Sequence, residues 1–213
     1  LIVTGVQTCA LPISSSSAAV TDYSEMVDRI ASWMHRSDSG LIARIPDFIW
    51  LAEERMNRRL RVTQMEVALV ETTITSNAIA IPSGILGVKS LWLPDEDDQP
   101  LKSIPYTAYV GMKTVGTPTV WARQGTNYYF DGTGSVEGVL YERIQGLTST
   151  NTTNWVLDQY PSAYLWGALA EGYGFARGEE AAVYEARFTS VLDDIESAAQ
   201  RDAFSGPLVV RAR

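Results

Sequence analysis

PSAYLWGALAEG, residues 161–172, carries no charge before Glu171. Pro161 suits a first helical position, where its missing N–H costs nothing. Tyr164, Leu165, Ala168 and Leu169 fall on one side of the predicted helix and Trp166 on the other. A helix that is apolar all round is buried on all sides. The stretch therefore predicts a central helix that other elements surround. Gly172, Gly174 and Gly178 are expected to loosen its end.

The neighbours of this helix supply the surround. Upstream, Asn154 is a good cap for a turn through Trp155 and Leu157, after the polar loop 148–153. Downstream, Tyr184, Phe188, Val191, Leu192, Ile195 and Ala199 form the stripe of a last helix from about Glu179 to Phe204, stopped by Gly206-Pro207. Near the other end of the chain Asp22 can cap a helix, and Glu25 stands at the capping-box spacing. Its stripe is Tyr23, Met26, Val27, Ile30, Trp33 and Met34, and residues 37–40 break it. A further helix opens near Pro46 with Asp47 beside it, favourable at the positive end of the dipole. Ile45, Phe48, Ile49, Ala52, Met56 and Leu60 make its buried face. Arg55, Arg58, Arg59 and Arg61 crowd its C-terminal end, where the dipole stabilises cations.

Between the helical ends the period changes. Residues 66–74 and 78–81 read as strands of a hairpin about Ser76-Asn77, ended by residues 82–84. Residues 88–93 form another strand, followed by an acidic turn at 94–98, and residues 105–112 a short helix. Residues 119–123, 127–130 and 136–143 read as strands of a meander. The fold class is α+β: a bundle of four main helices, an inserted small antiparallel β subdomain and an extended C-terminal arm. The expected divisions are a leader at 1–20, an N-terminal helical pair at 21–64, the β-rich insert at 65–147, a C-terminal helical pair at 148–205 and the arm at 206–213.

Composition narrows the chemistry. Apolar residues make up 46%, enough for a packed core, and the net charge of −8 gives no global attraction for nucleic acid. No apolar run approaches the ~20 residues of a membrane span, so no membrane partner is expected. His35 is the only histidine and sits at a helix end beside Arg36, poor material for a triad or a zinc site. Gly132-Thr133-Gly134 with Gly138 lacks the dinucleotide spacing and is followed by a strand, so it reads as a hairpin turn. Asp95, Glu96, Asp97 and Asp98 depart from the calcium-loop pattern and read as a solvated loop. Glu53–Glu54 and Asp193–Asp194 are sequence neighbours that diverge on a helix. Glu171 ends the uncharged run and reads as a partner for an arginine before a catalytic acid. Asn151-Thr152-Thr153 fits a glycosylation sequon, without a secretory signal to give it meaning. No catalytic residue, metal ligand or cofactor is assigned. The arginine group at Arg55, Arg58, Arg59 and Arg61 is a candidate subunit interface or lumen lining, against a plain solvated helix end. Leu208, Val209 and Val210, followed by Arg211 and Arg213, look made to pair with a partner's sheet edge.

Three stretches carry a resemblance: YSEMVDRIASWMHRSD at 23–38, IPDFIWLAEERMNRRLRVTQME at 45–66 and TNWVLDQYPSAYLWGALAEG at 153–172. VGTPTVWARQGTNYYFDG lies between them in the β segment, and FSGPLVVRAR closes the chain. Together they resemble the head-to-tail adaptor (head-completion, tail tubular) proteins of tailed bacteriophages, particularly short-tailed ones. The resemblance implies a non-enzymatic virion part in the neck, assembled in the bacterial host cytoplasm. It implies a ring, typically dodecameric, beneath the portal protein, presenting a platform for tail nozzle or tail tube proteins and passing genomic DNA. The family's arm that reaches the portal transfers to Leu208, Val209, Val210, Arg211 and Arg213. Three alternatives accompany it: a tail-completion or decoration protein without portal contact, a carboxylate-dependent cell-wall hydrolase using Glu171 and another acid, and an acidic cellular binding module unrelated to phage. VTGVQTCALPI at residues 3–13 resembles the in-frame translation of a common sequencing adapter. On that expectation residues 1–13, with the lone Cys9, stand outside the functional reading.

Overall fold

The structure, a computed structural model, describes residues 19–34, 39–94, 100–112 and 116–203. Seven helices occur among them: α1 (Tyr23–Trp33), the short α2 (Ser39–Ile42), α3 (Ile45–Arg59), the short α4 (Tyr106–Tyr109), α5 (Trp155–Gln159), α6 (Pro161–Phe175) and α7 (Ala181–Ala203). The strands are β1 (Glu66–Thr73), β2 (Ala78–Ala80), β3 (Ile85–Trp92), β4 (Lys102–Ser103), β5 (Val120–Gln124), β6 (Asn127–Phe130) and β7 (Ser135–Glu142). The architecture is α+β, as the sequence pattern predicts.

Helix α6, uncharged from Pro161 to Ala170, is the hub, with α1, α3, α5 and α7 all packed on it. Ala163, Tyr164, Gly167, Ala168, Leu169, Ala170 and Gly172 are buried along it. Every position of the expected α3 stripe is buried too, from Ile45 to Leu60. Gly172 does not loosen α6, which continues to Phe175. It is a point of close approach: a Cβ there would meet Met34 Cε at 2.7 Å. At Gly167 a Cβ would meet Ala52 Cβ at 2.8 Å and Phe188 Cε2 at 2.9 Å. These two glycines let α1, α3 and α7 close on the hub.

Local signals set the helix ends. Asp22 caps α1 by accepting from the Glu25 N–H at 2.9 Å. The reciprocal half of the capping box falls one residue early: the Glu25 carboxylate takes the N–H of Thr21 at 2.7 Å and its hydroxyl at 2.9 Å. Asn154 caps α5 through the Leu157 N–H at 3.0 Å, as expected of that residue type. Pro46 stands in the first turn of α3 beside Asp47, which pairs with Arg44 at 3.2 Å.

The β region departs from the expected pairing. Ser76 and Asn77 do make a tight turn, both with positive φ (52° and 61°), the geometry of a primed turn. The strands it joins then part. β1 enters a three-stranded antiparallel sheet in the order β1-β7-β3, and β2 a four-stranded sheet in the order β2-β6-β5-β4. The meander breaks likewise, because β5 and β6 pair with each other while β7 crosses to the first sheet. The insert is not wholly antiparallel either: β4 and β5 run parallel. A parallel pair needs a crossover, and the segment carrying α4 supplies it. The two sheets share a core that includes Ile79, Leu91, Tyr128, Phe130, Val136 and Leu140. The helical core, from Met26 to Ala199, takes in Ile144 and Leu147 from the segment after β7.

Candidate functional site

Among the described residues the most buried carboxylate is Glu53, which the sequence reading notes only as diverging from Glu54. Glu53 on α3 is only 4% exposed and points into the helical core, while its neighbour Glu54 turns outward to Arg143 at 2.7 Å. The Glu53 Oε1 accepts the Leu147 N–H at 2.7 Å and the Tyr164 hydroxyl at 3.0 Å. Asn154 extends the network by donating to the Tyr164 oxygen at 2.7 Å and to the Gln145 carbonyl at 2.7 Å. One turn along α3, the buried Asn57 accepts the Ile144 N–H at 2.8 Å. These side chains satisfy the backbone of residues 144–147, which leaves the sheet and enters the bundle. Buried backbone donors must find such partners. Burial pushes the Glu53 carboxyl above its ordinary value, and the bonds from Leu147 and Tyr164 only partly oppose this. Burial, and then the Glu53 charge, hold the Tyr164 hydroxyl protonated well above the usual phenol range. The arrangement is a lock between helices and sheets, with Glu53 Oε1, the Tyr164 hydroxyl and the Asn154 amide engaged by the protein itself.

Asp131 makes a second lock, at the β6–β7 connection. Its carboxylate accepts the N–H groups of Thr119 and Val120 at 2.8 and 3.0 Å and the Thr119 hydroxyl at 2.7 Å. Burial works to raise its pKa, but these bonds outweigh it and hold the carboxyl below its ordinary value. The Gly132-Thr133-Gly134 stretch joins strands of different sheets, so it is a turn but not a hairpin, and β7 follows it.

The arginine group divides. Arg55 lies over the Phe188 ring at 4.7 Å and pairs with Glu171 at 3.0 Å and with Glu185. Glu171 is thus the partner of an arginine. Arg59 pairs with Glu196, its two contacts at 3.2 and 3.0 Å, and with Asp193. The two arginines tie α3 to α6 and α7. Arg61 donates to the Asn57 carbonyl at 2.8 Å, capping the end of α3. Arg58 is exposed. His35, Asp95 to Asp98, and Leu208, Val209, Val210, Arg211 and Arg213 lie outside the described residues. Among the described residues no cluster of three or more His, Cys, Asp or Glu could hold a metal, and no helix is long and apolar enough to cross a membrane.

What the described surface does offer is large exposed apolar side chains. Trp50 is 56% exposed on the outer face of α3, with Leu51 beside it. Phe175 and Val183 stand out at the corner between α6 and α7, 66% and 52% exposed. Trp33, Trp166, Tyr184 and Tyr173 run as an aromatic row across α1, α6 and α7, with Arg187 over the Trp166 ring at 4.8 Å.

The described residues thus form a helical bundle locked to a two-sheet insert, with large apolar side chains on its surface. The model of the family described as SU10 adaptor protein matches residues 21–211, and the chain belongs to that family. It is a structural bacteriophage adaptor, a protein that works through contacts with other phage head and tail proteins. No curated protein matches it.

Proposed function

We propose that copies of this chain form a ring, of twelve by the family resemblance, between portal and tail in the virion neck. The ring closes the head after DNA packaging, offers the tail nozzle or tail tube its platform and passes the genome on ejection. The arm, Leu208, Val209, Val210, Arg211 and Arg213, docks on the portal protein. The observation that carries this reading is the extent of the family match, which runs through both helical ends and the β insert and on to Arg211. The exposed Trp50, Leu51, Phe175 and Val183 support it, since large exposed apolar side chains are what subunit contacts cover. Arg58 is exposed and could meet carboxylates of an adjacent copy, whereas Arg55 and Arg59 are already engaged within the chain. Ring closure multiplies weak contacts, so each need contribute only modestly.

The test is a chain lacking residues 208–213, mixed with filled heads and tails of the phage that encodes it. The reading expects heads that stay unjoined and leak DNA. Normal joining would instead favour a tail-completion role without portal contact. The hydrolase alternative is checked by Glu171→Gln in a peptidoglycan assay. Activity in the native chain that the variant loses would revive it.

A further inference from the structure

Beyond the site where the arm acts in the virion, the structure bears on where it rests in the free subunit. β7 alternates strictly: Val136, Gly138 and Leu140 are buried toward the second sheet, while Glu137, Val139 and Tyr141 face the other way and are half-buried. Register places Glu66 across from Tyr141, Ala68 across from Val139, and Trp92 across from Glu137. This outer face is therefore apolar along its middle, with Ala68 exposed and Val139 and Trp92 half-open. A groove opens at one end of it, walled by Val62, Tyr141, Ala199 and Ala203, with the Glu66–Lys89 ion pair (2.7 Å) at its rim. Ala203 is the last residue of α7. The chain thus leaves the helix from the wall of the groove that leads onto this face.

We propose that residues 204–213 of this chain seat in that groove and across the outer face of the β1-β7-β3 sheet in the same subunit. Reach allows it. Four residues, 204–207, can span up to ~14 Å, and a proline at position 207 is compatible with the start of an extended run. Residues 208–213, extended, cover ~20 Å, comparable to most of β7. Chemistry fits it as well. Leu208, Val209 and Val210 meet Ala68, Val139 and Tyr141, and Arg211 and Arg213 reach Glu137, which makes no ion pair among the described residues. A tether this short keeps the segment at millimolar effective concentration over its own sheet, which favours the same chain over a second copy. The free subunit then hides its sticky segment and its open sheet face against each other. Drawing the arm away to a partner uncovers both.

A photo-crosslinking residue at Val209 tests this in purified full-length chain, held dilute enough to be monomeric by light scattering. The expected product is a crosslink within one chain to the peptides holding Ala68, Val139 or Trp92. It should be lost when Ala68→Lys and Val139→Lys are combined in a chain that keeps its circular dichroism. No crosslink, a crosslink between chains, or one to a surface away from this sheet overturns the proposal. Should the double variant fail to fold, hydrogen exchange decides. Removing residues 208–213 should speed exchange in the β1 and β7 peptides, and unchanged exchange overturns the seat. Heads and tails that join normally without the arm would sink the portal reading and leave the seat untouched.

Discussion

Gly167→Ala adds one methyl group at a tight point of the bundle. Its Cβ would stand 2.8 Å from Ala52 Cβ and 2.9 Å from Phe188 Cε2, inside the distances real side chains adopt. On an exposed helix the change would stabilise by about 0.8–1 kcal/mol. Here α3 and α7 are both held to α6, and the Ala52 Cβ is fixed to its backbone, so relief must come from helix displacement or from the Phe188 ring. Overpacking of this kind costs roughly 1–3 kcal/mol. With two obstacles nearer than 3 Å the upper part of that range applies, roughly 2–3 kcal/mol, so after the helix gain a net loss of about 1–2 kcal/mol is expected in urea denaturation followed by circular dichroism. The compensating change is Ala52→Gly, which removes the nearest obstacle. In a double-mutant cycle the pair should recover about 1 kcal/mol relative to the sum of the single effects. A Gly167→Ala chain as stable as the parent, or a cycle with no coupling, would refute the close approach of α3 to the hub.

Three further substitutions test the locks and the sheet core. Glu53→Ala leaves the Leu147 N–H and the Tyr164 hydroxyl without their acceptor and should cost about 2–3 kcal/mol in the same assay. Glu53→Gln keeps an acceptor and removes the titration. Because burial raises the Glu53 pKa in the fold, its contribution is fullest below the ordinary carboxylate pKa and is lost as pH rises through the raised value, so the native chain should lose ground to the Gln variant as pH rises from acid through that value. Asp131 has the opposite sign. Its folded value is lowered, so its contribution is present above the ordinary carboxylate pKa and is lost as pH falls through the lowered one. Asp131→Asn should cost about 1–3 kcal/mol at neutral pH, and denaturation in acid should show the gap closing. Tyr128 is fully buried with no hydrogen-bond partner for its hydroxyl, so Tyr128→Phe should leave thermal stability unchanged or raise it.

The hub was legible because charge is costly in a surrounded helix, and residues 161–170 contain none. The faces of α1, α3 and α7 followed from helical period alone, and the caps at Asp22 and Asn154 from residue type. Strand partners were not legible. Alternation shows that a strand has two faces, but not which strand it joins, so β1 and β2 read as a hairpin although they lie in different sheets. Sequence spacing shows that Glu53 and Glu54 diverge on the helix, but not that Glu53 is the one turned into the core. The signal that could have exposed it is its place with Asn57, four residues apart, on the flank of the buried stripe between Ile49 and Leu60. The pairing of Glu171 with an arginine was expected from composition, but its identity as Arg55 required the fold.

Cryo-electron microscopy of the virion, with this chain located by its fold, bears most directly on the account. The account predicts a symmetric ring of this chain between portal and tail, with residues 208–213 of each copy against the portal. Density for the chain elsewhere in the particle, or a neck built without it, would contradict the account.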